Sequence, residues 1–270
     1  MYLGKYTLLN LQITACDHEF ILEEIKNQIK NKRSFLISPL ASQTFVLARF
    51  DKNLKKVLDT YDYLFSDSLW VKRTINFLYN IGLKERLRGP NFLPQSCQLA
   101  EKKGYRIYLY GTTANTLLKL KLKLQLQFPK LKISGYYPSV FRALTRGEKS
   151  DLIKEIENNK TDILFLALGS PLEQIFAYEL LYKKPKLNKP VVIIPFGAAF
   201  DFTAGTKPVA PVFMQKWGIE WLFRLICEPR RLWKRYLIYG PLFIILVLMQ
   251  KINFLFNFGN DVIVKSKRRS

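Results

Sequence analysis

Histidine and cysteine are nearly missing from this 270-residue chain. With His18 the sole histidine, a His-rich metal centre, a multi-His zinc hydrolase and a Ser-His-Asp triad with a histidine to spare are excluded, and His18 itself reads as a surface residue. The three cysteines, Cys16, Cys97 and Cys227, stand far apart with no CxxC pair, so they build neither a disulfide framework nor a zinc site, and a reducing compartment fits best. No GxGxxG and no GxxxxGKS or GxxxxGKT occurs, which removes the two commonest glycine-rich phosphate cradles. Acid is scarce as well. Against 43 Lys and Arg stand 21 Asp and Glu, a net charge of +22, which implies an anionic partner without choosing among nucleic acid, lipid headgroups and phosphorylated small molecules. No nucleic-acid motif with interleaved aromatics accompanies the charge.

What is present is apolar. A hydrophobic fraction of 49% with 14% aromatics excludes a disordered chain, and the length suits one large domain or two small ones. From Leu3 to about Gly205 short apolar runs alternate with helical patterns, which predicts an α/β fold, a Rossmann-like parallel sheet with crossover helices. The expected strands are Phe35–Ser38, Tyr63–Ser66, Tyr105–Tyr110, Leu131–Ser134, Asp162–Leu168 and Val191–Phe196. Leu118–Gln127 alternates Leu with Lys or Gln and has strand period. It lacks β-branched and aromatic residues and falls where a crossover helix is due, so a helix with leucines on two faces is expected. Near the start, Ile13-Thr14-Ala15-Cys16 resembles a lipoprotein signal superficially. Asn10 and Gln12 interrupt its apolar stretch, and the chain is read as cytosolic.

Composition shifts after Val212, dividing the chain into an α/β catalytic domain, 1–212, and a basic amphipathic appendage, 213–270. The appendage holds eleven basic residues against three acids, +8 of the total +22. Its uncharged run Tyr236–Gln250 is shorter than the about 20 residues of a spanning helix and is interrupted by Gly240-Pro241. With arginines and Trp233 before it, the run reads as an interfacial, membrane-associating helix; a buried core helix and a span using residues 236–258 stay open.

Chemistry is expected in loops at strand carboxyl ends. Asp67 follows a buried strand and opens a helix, as a cap or as a general base. Gly111-Thr112-Thr113 offers backbone N–H groups and hydroxyls to a phosphate. Glu85-Arg86-Leu87-Arg88-Gly89 sets two guanidinium groups before a helix, suited to a diphosphate. Gly169-Ser170-Pro171-Leu172-Glu173-Gln174 ends another strand. For each of these, a purely structural role is the alternative.

The densest stretch is Gly197, Phe200-Asp201-Phe202, Ala204-Gly205, Ala210-Pro211, Gly218, Glu220-Trp221, Arg224-Leu225, Glu228-Pro229, Arg231-Leu232 and Arg235-Tyr236. In register these resemble the hallmark of the WecG/TagA/CpsF glycosyltransferases (glycosyltransferase family 26). The resemblance runs from about residue 5 to 240. Asp67 falls on the family's Asp-Gly, Glu85-Arg86 with Gly89 on its ERxxGxD, and Gly169-Ser170-Pro171 on its GxPKQE turn. Departures are Ser68 for that glycine, Asn91 for the second Asp, Leu172-Glu173-Gln174 for Lys-Gln-Glu, Ser38-Pro39-Leu40-Ala41 where a Thr-x-Asn is expected, and Lys207-Pro208-Val209 with no arginine before Ala-Pro.

The resemblance implies inverting transfer of a sugar from a UDP-sugar (N-acetylmannosamine, glucose or glucuronate type) to a polyprenyl-diphosphate-linked saccharide, with no metal and no other cofactor. This serves cell-surface polysaccharide synthesis at the cytoplasmic face of the bacterial inner membrane. Asp67 is then the base and Arg86 the diphosphate cation; no Asp-x-Asp triplet is present to carry a metal. Gly111, Thr112, Asp201 and either Glu173 or Gln174 are expected to contact the donor. Arg224, Arg230, Arg231 and Arg235 are expected at the lipid diphosphate or the anionic membrane. With Lys234, three of these arginines form a cluster worth about 4 kcal/mol at an anionic surface. No nucleic-acid partner is expected, and a homo-oligomer is left open. The alternatives are a degenerate family member without transfer activity and a basic lipid- or nucleic-acid-binding protein.

Overall fold

The computed structural model describes residues 1–256. Asp261, Lys265, Lys267, Arg268 and Arg269 of the basic tail, and the far end of the 236–258 span, lie outside the described residues. The chain opens with β1 (Tyr2–Leu8), β2 (Leu11–Cys16), α1 (His18–Lys30) and β3 (Phe35–Leu40). There follow α2 (Ser42–Phe50), α3 (Lys52–Leu58), β4 (Tyr63–Ser66), α4 (Leu69–Tyr79) and α5 (Gly89–Lys103). The second half of the sheet comes from β5 (Arg106–Gly111), α6 (Ala114–Gln127), β6 (Lys132–Tyr137), α7 (Arg146–Asn158), β7 (Ile163–Ala167), α8 (Leu172–Tyr182), β8 (Val192–Pro195) and α9 (Ala199–Ala204).

Eight strands make one sheet in the order β1-β2-β4-β3-β8-β7-β5-β6, parallel throughout except for the β1–β2 pair. All six strands expected from apolar runs are present. Their side chains alternate between two cores, as a sheet covered on both faces requires. Ile163 and Phe165 enter the core under α1, α5, α6 and α9; Leu164 and Leu166 enter the one under α2, α4, α7 and α8. The N-terminal segment that resembles a signal is instead a hairpin. Its tip, Leu9-Asn10, has positive φ at both residues (48° and 74°), the geometry of a two-residue hairpin turn.

The Leu/Lys alternation of α6 is helical, because Leu117, Leu120 and Leu124 fall on one face and are fully buried. Leu118, Leu122 and Leu126 are left exposed on the other.

After α9 the appendage runs as α10 (Val212–Trp217), α11 (Glu220–Cys227), α12 (Pro229–Trp233), a π-helical turn (Lys234–Ile238) and α13 (Tyr239–Phe256). The break expected at Gly240-Pro241 does not occur. Pro241 cannot donate the hydrogen bond a regular helix needs from it, and the single π turn just before it absorbs the misfit, with Tyr239 N bonded to Lys234 O. Pro229–Phe254 is therefore one continuous helix of 26 residues, long and apolar enough to cross a membrane, which corrects the expectation from the shorter uncharged run. One side of α13 is nevertheless committed to the protein. Phe243 and Val247 are buried with Phe45 and Val46 of α2, worth roughly 2 kcal/mol each. Gln250 accepts from Leu9 N at 3.1 Å and donates to Thr7 O at 2.9 Å. The opposite side exposes Ile244, Ile245, Leu248, Met249 and Ile252.

Candidate active site

The helix after β8 packs on one face of the sheet, while those after β3 and β7 pack on the other. The neighbouring carboxyl ends of β3, β8 and β7 thus open between the layers, the position where open α/β sheets bind ligands. Asp67 lies beside this point at the end of β4. Its amide is fixed by Leu40 O at 3.1 Å, and its Oδ1 accepts from Gly89 N at 3.0 Å. Ser68, not Asp67, caps the following helix, accepting from Val71 N. The cap role is thereby filled by the residue that departs from the family pattern, and the Asp67 carboxylate keeps an oxygen for other partners.

Gly89 brings the Glu85–Arg88 loop against that carboxylate; a Cβ there would stand 3.2 Å from Ala199 Cβ. Arg86 and Arg88 converge on one acid of the appendage. Glu220 takes Arg88 at 2.7 Å and Arg86 at 3.5 Å, and Gln215 accepts from the same Arg88 guanidinium at 3.0 Å. His18 is not a solvated surface residue. Packed toward Phe92, its side chain is 17% exposed, with Nδ1 3.0 Å from Glu85 and Nε2 buried without a partner.

The swapped pair after β7 divides its roles. Gln174 turns away from the site, fully buried, and donates from Nε2 to Ser38 Oγ at 3.0 Å, while its Oε1 finds no partner. Glu173 faces the switch point. Its Oε2 accepts from Gly169 N at 3.1 Å and Leu168 N at 3.3 Å, and its Oε1 lies against Gly197, the turn after β8. Burial pushes its carboxyl up to about 7 against these amides, with the Asp67 charge adding to the rise.

At the end of β5, Gly111 has φ 121°, and a Cβ would fall 2.3 Å from Ala167 O. The phosphate cradle expected there is partly spent on the protein itself: Thr112 N donates to Ala167 O at 2.8 Å, and Thr113 Oγ1 caps α6. Thr112 Oγ1 instead reaches Asp201 Oδ1 at 3.3 Å, so these two expected donor contacts do meet. Lys207 joins Asp201 at 3.5 Å to Glu228 at 3.1 Å, and Glu228 holds Arg231 through two bonds of 2.7 Å. Arg231 first, then Lys207, keep the Glu228 carboxyl down at about 2.

The expected membrane arginines therefore separate. Arg231 is engaged with Glu228, Arg235 is half-buried and within electrostatic range of Asp67 without an ion pair to it, and Arg224 stacks over Phe202 at 5.1 Å with its Nε unpartnered. Of the four-residue cluster Arg230, Arg231 and Lys234 are exposed, but Arg231 spends its charge on Glu228, which halves the electrostatic contribution expected at a surface to about 2 kcal/mol. Among the described residues no group of three or more His, Cys, Asp or Glu could share a metal ion. Sequence reasoning missed the bridging duties of Lys207, Glu220 and Glu228.

Residues 6–256 match the family model for the glycosyl transferase WecG/TagA/CpsF family. A relative from Bacillus subtilis (strain 168) is 29% identical over 212 residues, covering 78% of this chain and 78% of its own. One from Bacillus spizizenii (strain ATCC 23059 / NRRL B-14472 / W23) is 24% identical over 208 residues, 77% of this chain and 76% of its own. Both carry the name N-acetylglucosaminyldiphosphoundecaprenol N-acetyl-beta-D-mannosaminyltransferase.

Proposed function

The chain belongs to the glycosyl transferase WecG/TagA/CpsF family, and from that premise we propose that it transfers N-acetylmannosamine from UDP to an N-acetylglucosaminyl-diphosphate-polyprenol. That it is a glycosyltransferase follows from the family; the donor and acceptor follow the names of the two relatives. The observation that carries the proposal is Asp67, a carboxylate held at a strand end by the amide of Gly89, three residues after Arg86, with Arg235 of the appendage within electrostatic range.

In this reading Asp67 removes the proton from the acceptor hydroxyl as that oxygen attacks the anomeric carbon, a contribution on the order of 10²–10⁴-fold. UDP departs from the opposite face, which inverts the α-linked donor to a β-linked product. The charge gathering on UDP is met by Arg86 and Arg235, whose planar forks suit diphosphate oxygens without a metal. Asp201 and Thr112 form the nucleotide end of the site, Asp201 toward the ribose hydroxyls.

The appendage places this edge at a cytoplasmic leaflet. Phe213, Trp217, Ile226 and Trp233 are exposed on α10–α12 and continue into the exposed side of α13. Because the other side of α13 is packed on α2 and bonded to the hairpin, the helix lies on the membrane as a monotopic element. The 1–212 and 213–270 parts then act as catalytic body and membrane-bound roof of one site.

The proposal is tested by incubating the protein in EDTA with a short-chain N-acetylglucosaminyl-diphospho-lipid and, separately, UDP-N-acetylmannosamine, UDP-glucose and UDP-glucuronate. A β-linked disaccharide-lipid from the first alone supports it. Turnover of another donor in its place reassigns the sugar, and turnover of none rejects transfer.

A further inference from the structure

Glu173 is a buried acid at the switch point with no cation among the described residues to neutralise it. Its carboxylate is buried among backbone amides of the β7 and β8 turns, and no Lys, Arg or His among the described residues pairs with it. The charged and titratable groups that face it are Asp67 from the end of β4 and Tyr61 from the segment before β4. Tyr61 has a buried hydroxyl that donates to Gln174 O, and its phenol is itself pushed up by burial and by Glu173. Ser38 of β3 and Gln174 complete the surroundings and are neutral.

Most cations along this edge already hold an acid: Arg86 and Arg88 face Glu220, Lys207 faces Asp201 and Glu228, and Arg231 faces Glu228, while Arg224 lies over Phe202. Arg86, and Arg235 with no ion pair among the described residues, are the cations the diphosphate itself draws on, which leaves none for Glu173. A nucleotide diphosphate entering here adds two negative charges beside two carboxylates. In a desolvated site like charges do not all persist, and the group whose charged form is least supported gives way. Asp67 lies within electrostatic range of Arg235; Glu173 has only neutral donors, the amides of the β7 and β8 turns and Gln174 Nε2 at 3.5 Å, and its carboxyl already sits near 7.

We infer that Glu173 is a donor-affinity determinant that takes up one proton from solvent when the nucleotide-sugar binds, so that the donor is held only by the form of the enzyme in which Glu173 is a neutral acid. The inference rests on the proposed UDP-sugar site. It makes donor binding weaken as pH rises above neutrality, through a residue that acts by its charge rather than by reacting.

The test is calorimetry with UDP-N-acetylmannosamine, which does not titrate between about pH 6.5 and 8.5, in two buffers of different ionisation heat. Expected are uptake of about one proton per nucleotide near pH 8 and a Kd that rises toward tenfold per pH unit above about 7.5. Glu173→Gln, a neutral near-isostere, is expected to bind without proton uptake, with a flat pH profile and more tightly than wild type at the alkaline end. Binding by wild type without proton uptake overturns the inference, as does a Glu173→Gln variant that keeps the wild-type slope. The buffer comparison on wild type decides the matter even where that variant fails to fold. Absence of any binding rejects the UDP-sugar reading itself, an outcome distinct from binding without a proton.

Discussion

Arg88 and Glu220, 132 residues apart in the chain, meet at 2.7 Å where the loop after α4 touches α11, and Arg88 is buried there. Breaking such a pair from one side strands the other charge. Glu220→Ala is expected to lower stability by about 2–3 kcal/mol and to loosen the appendage. Chemical denaturation measures the first effect and protease sensitivity around residues 205–220 the second.

Gly111 carries the tightest backbone approach at the site. A methyl group there meets Ala167 O at 2.3 Å in a region of φ that L side chains rarely adopt. Gly111→Ala is expected to destabilise by about 3 kcal/mol or more and to displace Thr112 from Asp201, weakening UDP binding. Denaturant midpoints and nucleotide titration read the two effects separately.

Two acids give the stability curve opposite slopes. The Glu228 carboxyl is depressed to about 2, so its pairing with Arg231 and Lys207 is intact at neutral pH and is lost as pH falls from about 4.5 through about 2. The Glu173 carboxyl is raised to about 7, so the folded state holds more protons than the unfolded chain between about 4.5 and 7. Across that interval its contribution falls as pH rises, by at most about 3 kcal/mol. Glu173→Gln is expected to remove that decline in denaturation curves taken from pH 5 to 8, and Glu228→Gln to leave it unchanged.

Arg230 and Lys234 are the two exposed basic residues of the 230–235 cluster without an acidic partner among the described residues. Replacing both with alanine is expected to reduce partitioning onto vesicles rich in anionic lipid by about 2 kcal/mol, roughly 30-fold. Neutral vesicles, by contrast, are expected to respond to polar substitution of Ile245 and Leu248.

The sheet was legible because strands buried on both faces are written as unbroken apolar runs, and Ile163–Ala167 is the clearest. The β1–β2 hairpin was hidden by its own turn: Leu9 occupies a left-handed position where glycine or asparagine is the usual signal, so only Asn10 marked it. Gly240-Pro241 reads as a stop in any sequence, and only the π turn before it shows how the helix continues. At the site, the position of Asp67 followed from a carboxylate ending a strand. Which of Glu173 and Gln174 faces the ligand did not. Adjacent residues in the first turn of a helix diverge by about 100°, and their directions are set by Gly197, in the turn after β8, and by Ser38 of β3.

Asp67→Asn is the most direct probe of Asp67 as the base of the transfer, because asparagine can still accept from Gly89 N. Steady-state turnover of UDP-N-acetylmannosamine on the N-acetylglucosaminyl-diphospho-lipid is the measurement. The expected result is a kcat lowered by roughly 10²–10⁴-fold, with unchanged thermal stability and donor affinity; a variant that turns over at the wild-type rate removes Asp67 from the mechanism.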